Sequence, residues 1–234
     1  MTKITLTVTS CKRFLLLQKT LQSFFYCCQD KHMIQEILLI DDNSDSQDII
    51  KIIDLLQSFN ICYKIIFKSE FNKGHQESLN LLYDLVKTDY VLHLEDDWLF
   101  KKKDNFITKS LIIMSNYPEI KQVLLRINPD IMGINQKVIT VNNDIDFIRY
   151  NFIGQHHRDR LDRPAWPGWN LNPAVWNFRD MRTLGKFNQI VKNFEFKFSR
   201  MFWKSGFKVG YFKENCCEHI GEGNSSYKLN GTDK

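Results

Sequence analysis

Apolar and β-branched residues alternate through "KITLTVT" (residues 3–9), the two-residue period of a strand. The spacing then changes: Phe14, Leu17, Leu21 and Phe24 recur every three or four positions, which predicts a helix. The same exchange repeats down the chain. "EILLIDD" reads as a second buried strand, and Ile49, Ile52, Ile53 and Leu56 mark a helix. "CYKIIF" is a third strand, Leu79, Leu82 and Leu85 a third helix, and "YVLHL" a fourth strand. Strands alternating with amphipathic helices predict an α/β fold with a mostly parallel central sheet flanked by helices.

Beyond residue 100 the rhythm loosens. Ile107, Leu111 and Met114 predict a helix that Pro118 ends, and "QVLLRI" predicts another strand. Residues 151–177 hold three of the five Trp and three of the five Pro and read as loop-rich. A late helix carries Phe194, Phe198, Met201 and Phe202 on one face, "KVGYF" reads as a strand, and the tail from Glu218 is polar. With no internal repeat or low-complexity linker, residues 1–234 read as one domain. Its two halves divide at about residue 100.

Composition narrows the function classes. The chain has 234 residues, 43% of them hydrophobic and 25% charged, as in ordinary folded proteins. The net charge of +5 is spread thinly, and its densest run, Lys101-Lys102-Lys103, has Asp104 beside it. A nucleic-acid footprint concentrates far more charge, so a nucleic-acid partner is not expected. The six cysteines show no zinc-ligand spacing. Neither a signal peptide nor a membrane-spanning run is evident, so the expectation is a cytoplasmic protein with free thiols and no transmembrane segment. The sequons at Asn224 and Asn230 carry little weight without a secretory signal.

The candidate chemistry gathers where strands end. Ligands of open parallel sheets collect at the carboxyl ends of the strands. Three of the four early strands end there in polar groups: Thr9-Ser10 with Arg13, Asp41-Asp42-Asn43-Ser44, and Glu95-Asp96-Asp97. Each alone reads as a cap or turn. Two acidic clusters on neighbouring strands converge on one crevice, and adjacent carboxylates are costly there unless a cation joins them.

The order "TVTSCKR", "LLIDDNS", "NKGHQESLN" and "LHLEDDW" resembles the nucleotide-sugar half of GT-A-fold glycosyltransferases, especially the family-2-like inverting enzymes. "LEDDW" is similar to their D-x-D or E-D-D metal motif, and "HIGEGNSS" to a histidine-containing tail in several of them. The resemblance implies a single GT-A (Rossmann-like) domain and a metal-dependent transfer from a nucleotide-sugar donor, with a UDP-sugar favoured, to an acceptor hydroxyl. Mn2+ or Mg2+ would bridge carboxylate and phosphate oxygens, with Asp97 the direct ligand and His219 reaching the metal from the tail. Asp96 would ligate through water or bind ribose, with Glu95 supporting. Asp41 or Asp42 would hydrogen-bond the base, Thr9 and Arg13 would line the nucleoside pocket, and Asn72 and Gly74 would bring backbone to the donor.

By the same resemblance the base of an inverting transfer lies near the start of a late helix. Glu195 is the candidate, with Asp180 in reserve. Trp166 and Trp169 offer flat faces for an acceptor sugar, with core packing as the alternative. "HHRDRLDR" (residues 156–163) reads as a lid meeting the pyrophosphate or as a salt-bridged loop. The rivals are a retaining enzyme on the same fold and a sugar-nucleotide-binding protein without transfer activity.

Overall fold

A computed structural model of the chain describes residues 2–69, 71, 74–127, 137–142, 144–150, 166–187 and 194–222. Asn72, the run 156–163 and both sequons lie outside the described residues. The first half follows its periodicity closely: β1 (Ile4–Ser10), α1 (Phe14–Cys27), β2 (Ile34–Asp41), α2 (Ser46–Gln57), β3 (Tyr63–Phe67), α3 (His75–Leu85) and β4 (Tyr90–Glu95). Then come β5 (Trp98–Phe100), α4 (Phe106–Asn116), β6 (Ile120–Leu124), β7 (Val138–Val141), β8 (Ile145–Arg149) and β9 (Ala174–Asn177). The short α5 (Phe178–Met181), α6 (Phe194–Lys204), β10 (Lys208–Phe212) and β11 (Cys217–His219) complete the order.

Nine strands form one sheet in the order β3-β2-β1-β4-β9-β6-β10-β8-β7. The β3-β2-β1-β4 block is parallel throughout, with helices as its crossovers. Every residue of β1 is buried, as expected for a central strand covered on both faces. β9 runs antiparallel between β4 and β6, and β8 runs antiparallel to β10 and β7. The sheet is therefore parallel in its first half and mixed in its second.

The strands divide their side chains between two cores. Ile37 and Leu39 of β2, Leu92 and Leu94 of β4, and Val175 of β9 join α1, α2 and α4 on one face. Leu38, Ile40, Val91, Ala174 and Trp176 join α3 and α6 on the other. That division is the two-residue period made physical. On α6, Phe198 and Phe202 are buried, whereas Met201 is 44% exposed, which corrects its expected core position. The buried stripe follows the i, i+4 line through residues 194, 198 and 202, and position 201 falls about 100° round the helix from 202.

The fifth and eleventh strands form a separate antiparallel pair with Cys217 opposite Phe100 and His219 opposite Trp98. This pair ties the tail to the segment that directly follows the acidic row. All six cysteines are free, five of them buried. Among the described residues no helix is long and apolar enough to cross a membrane.

Candidate active site at the carboxyl edge of the sheet

Parallel register sets the site. Because Thr9 lies opposite both Ile40 of β2 and Glu95 of β4, the three strands finish side by side. Ser10, Asp41-Asp42 and Glu95-Asp96-Asp97 consequently share one edge. Thr9 is buried between the two acidic strand ends.

Asp41 and Asp42 serve different neighbours. Asp41 is fully buried and accepts the Ser44 N–H and hydroxyl, both at 2.8 Å, which closes the turn after β2. Asp42 accepts the Gly74 N–H at 2.9 Å and pairs with Lys68 at 3.0 Å. Lys68 also donates to the Gly74 carbonyl and to Ser78, so it fastens the start of α3 to the end of β2. Gly74 has φ 128°, a backbone conformation that side chains disfavour, so glycine is required there on conformational grounds. Open space surrounds the position where its Cβ would lie.

Arg13, at the start of α1, reaches across to the acidic row. Its Nε donates to Asp96 at 3.2 Å, a terminal nitrogen pairs with the second Asp96 oxygen, and the other lies 3.0 Å from Asp97 Oδ2. Asp96 also accepts the Cys11 N–H at 3.1 Å. His219 Nε2 stands 3.2 Å from Asp97 Oδ2, and the Ile220 N–H donates to the Asp97 carbonyl. The tail histidine, expected to reach a metal, thus lies beside Asp97. Burial pushes the Asp97 carboxyl upward, but the His219 hydrogen bond and Arg13 outweigh it and hold the group below the usual carboxylate value. Glu95 goes the opposite way, raised well above it by burial and then by Asp97, Glu195 and Asp96.

A divalent cation fits this arrangement in a limited way. Asp97 Oδ1 is buried without a hydrogen-bond partner, a costly state for a carboxylate oxygen. Its other oxygen lies beside an imidazole nitrogen, so an oxygen and a nitrogen donor sit side by side. Among the described residues no three His, Cys, Asp or Glu side chains group to hold a metal alone. A bound metal would thus complete its shell with substrate oxygens and water, as magnesium-type sites do.

Glu195 occupies the first turn of α6, half-buried, with Oε1 accepting the Leu171 N–H at 3.0 Å. Phe194 beside it stands edge-on to His75 at 6.0 Å, and His75 lies 3.6 Å from Glu95, so the start of α6 is near the acidic edge. Asp180 is elsewhere. It pairs with Lys121 at 2.5 Å and accepts from Asn177, and Asn177 lies opposite Tyr90, the first residue of β4. The antiparallel direction of β9 carries Asp180 to the amino edge, so the reserve candidate drops out.

The two tryptophans separate. Trp169 is fully buried against Trp176, Phe187 and Phe198, so it fills the core beneath α6 and offers no face to an acceptor. Trp166 remains half-buried, edge-on to Phe196, with its Nε1–H donated to the Trp169 carbonyl.

Four residues at this edge escaped the sequence reading. Lys68 follows β3 directly, and a lysine after an apolar strand was its only signal. His75 opens α3 with Nε2 at 3.6 Å from Glu95, and burial lowers its pKa to about 4. Arg126 lies over the Trp98 ring at 5.1 Å, and that ring also meets His219. Gly221 packs on Asp97. A separate cavity of about 460 Å3, lined by Tyr117, Lys137, Val138, Ile139, Thr140 and Arg149, lies at the β7 edge, far along the sheet from these groups.

Residues 5–111 match the family model for glycosyl transferase family 2. No curated protein sequence matches the chain. Among solved structures, a mannosyltransferase from Pyrobaculum calidifontis in complex with GDP-Man and Mn2+ superposes with a TM-score of 0.67 at 13% identity. That match covers 97% of this chain and 59% of the mannosyltransferase. GalNAc-T7 with UDP, GalNAc and Mn2+ gives 0.62 at 14% identity, covering 92% of this chain and 43% of that one. Residues 1–349 of S. aureus TarS give 0.64 at 10% identity, covering 92% and 59%. The chain thus spans roughly half the length of these proteins. The likenesses establish the shared architecture, and the family match adds the lineage of the first half. The chain therefore has the GT-A architecture of these structures, and its residues 5–111 are similar to glycosyl transferase family 2.

Proposed function

We propose that the protein moves a sugar from a nucleoside diphosphate sugar, with a UDP-sugar favoured, to an acceptor hydroxyl with inversion, in a metal-dependent reaction. The observation that carries this reading is the Asp97–His219 pair at 3.2 Å, with the second Asp97 oxygen buried and unpartnered at the carboxyl edge. Two of the structurally similar proteins were captured with Mn2+ and a guanine or uracil nucleotide, which supports the same donor class here. When bound, Mn2+ or Mg2+ supplies Lewis-acid stabilisation of charge on the departing diphosphate. Asp97 and His219 would hold it.

The remaining work falls to the chain's own groups. Thr9, Arg13 and the Asp41-Asp42 turn form the nucleoside side of the crevice, and Gly74 leaves it open. Asn72 belongs to the same proposed set by its place in the motif. Asp96 holds Arg13 in position, and burial with the surrounding acids raises Glu95 well above the usual carboxylate value. Glu195 takes the acceptor hydroxyl's proton as that oxygen attacks the anomeric carbon from the face opposite the diphosphate. Trp166 lies near the start of the same helix, on the acceptor side.

A thermal-shift and calorimetric panel of UDP, GDP and their sugars with Mn2+ tests the donor reading. A correct nucleotide at one hundred times its Kd adds about 2.7 kcal/mol of apparent stability. Asp97→Asn should remove the metal-dependent part of that gain while leaving the fold intact. A metal-dependent affinity that survives Asp97→Asn takes Asp97 out of the site.

A further inference from the structure

The guanidinium of Arg13 lies against Asp96 and Asp97 of the acidic row. Its side chain is 10% exposed, and the two aspartates it joins are 1% and 9% exposed, so all three charges are largely out of water. One planar group spans both acids: Nε and one terminal nitrogen take Asp96, and the other terminal nitrogen takes Asp97 Oδ2 at 3.0 Å. That Asp97 oxygen is the one His219 also approaches. The three buried side chains carry one positive and two negative charges and so hold a single net negative charge.

Low-dielectric surroundings make this balance consequential. A divalent cation entering alone would turn the net negative charge positive and would compete with the guanidinium for Asp97. A divalent cation entering with a diphosphate brings its own countercharge, and the guanidinium gains phosphate oxygens as partners. We infer that Arg13 is a resident counter-ion that closes Asp97 to free divalent metal, so that metal and nucleoside diphosphate enter the site together. This rests on the donor-binding reading above and adds an order of binding to it.

Lysine in place of Arg13 separates the pieces. A single ammonium nitrogen keeps the charge beside Asp96 but cannot span both carboxylates as the guanidinium fork does. Mn2+ titrations followed by electron paramagnetic resonance would be run on the wild type and Arg13→Lys. Each would be tested alone, with UDP and with GDP. Wild type alone should bind Mn2+ about tenfold more weakly than with the preferred nucleotide. Arg13→Lys alone should bind Mn2+ about tenfold more tightly than wild type alone. Near-UV circular dichroism checks that the variant is folded. If Arg13→Lys alone binds Mn2+ no more tightly than wild type alone, the counter-ion role is overturned. Should the variant not fold, the wild type still decides: Mn2+ binding as tight without nucleotide as with it overturns the inference. If Arg13→Lys gains Mn2+ affinity while neither nucleotide affects either protein, the joint entry of metal and nucleotide is overturned together with the donor reading, and only the hold of Arg13 on Asp97 remains. A nucleotide effect on the wild type with no gain in Arg13→Lys overturns the counter-ion role and leaves the donor reading in place.

Discussion

Gly221 is pressed against Asp97: a Cβ built at Gly221 would lie 2.3 Å from Asp97 Oδ2 and 2.8 Å from its Cγ. Those distances are below any tolerated contact, and the obstructing atoms belong to a carboxylate already held by Arg13 and His219. Gly221→Ala must therefore displace Asp97 or the tail. We expect a 10- to 100-fold loss of Mn2+-dependent nucleotide affinity, the usual scale for disturbing the support of a metal ligand (about one to two decades). Calorimetry with UDP and Mn2+ reads it. An unchanged affinity would mean that Asp97 need not stand where it does.

Glu195 is tested by an isosteric change. Gln retains the oxygen that accepts the Leu171 N–H, so the local backbone bond survives in Glu195→Gln. Nucleotide affinity should hold while turnover falls by about two to four orders of magnitude. The anomeric proton signal of the product reports the stereochemistry. Inverted product with full activity in Glu195→Gln would move the base to another group, and retained product would reject inversion outright.

The two tryptophans should respond in opposite ways. Trp169→Ala opens a void among Trp176, Phe187 and Phe198 and is expected to cost about 3–5 kcal/mol in urea unfolding. Trp166→Ala should leave unfolding less affected and raise the acceptor KM. A Trp169→Ala protein with wild-type stability would contradict the core position.

Acid stability carries a signature of His93. It is fully buried on β4, with Nδ1 3.0 Å from the Thr7 hydroxyl, and burial, aided by His75, lowers its pKa to about 3. The unfolded chain takes up that proton near the ordinary value of about 6.5. Stability from the neutral ring is therefore complete above that value and declines as pH falls toward 3. The slope approaches about 1.4 kcal/mol per pH unit for one group. Unfolding titrations between pH 7 and 4.5 should show a shallower decline in His93→Gln. Identical slopes in the two proteins would refute the assignment.

The first half of the fold was legible because its elements are long enough to show their period. Seven residues of β1 and fourteen of α1 reveal alternation and helical spacing without help from the rest of the chain. Strand ends in a parallel block share one edge, but the two acidic clusters, expected on neighbouring strands, have β1 between them, a strand order that chain order does not record. The four residues of β9 were read as loop because a run that short, buried at every position, displays no period. Trp169 and Trp166, three residues apart, could not be told apart for the same reason: burial depends on what α6 brings against them.

The sequence by itself determined which residue types stand at each strand end, and local periodicity is enough to place them on one edge. Only the tertiary structure decided how those charges are shared. Arg13 and Asp97 are 84 positions apart, and His219 a further 122, yet they meet at 3.0 and 3.2 Å. The antiparallel β5–β11 pairing sets the position of His219, and the start of α1 sets that of Arg13. Pairing over such separations depends on how every intervening element packs. No local pattern of apolar and polar positions records it.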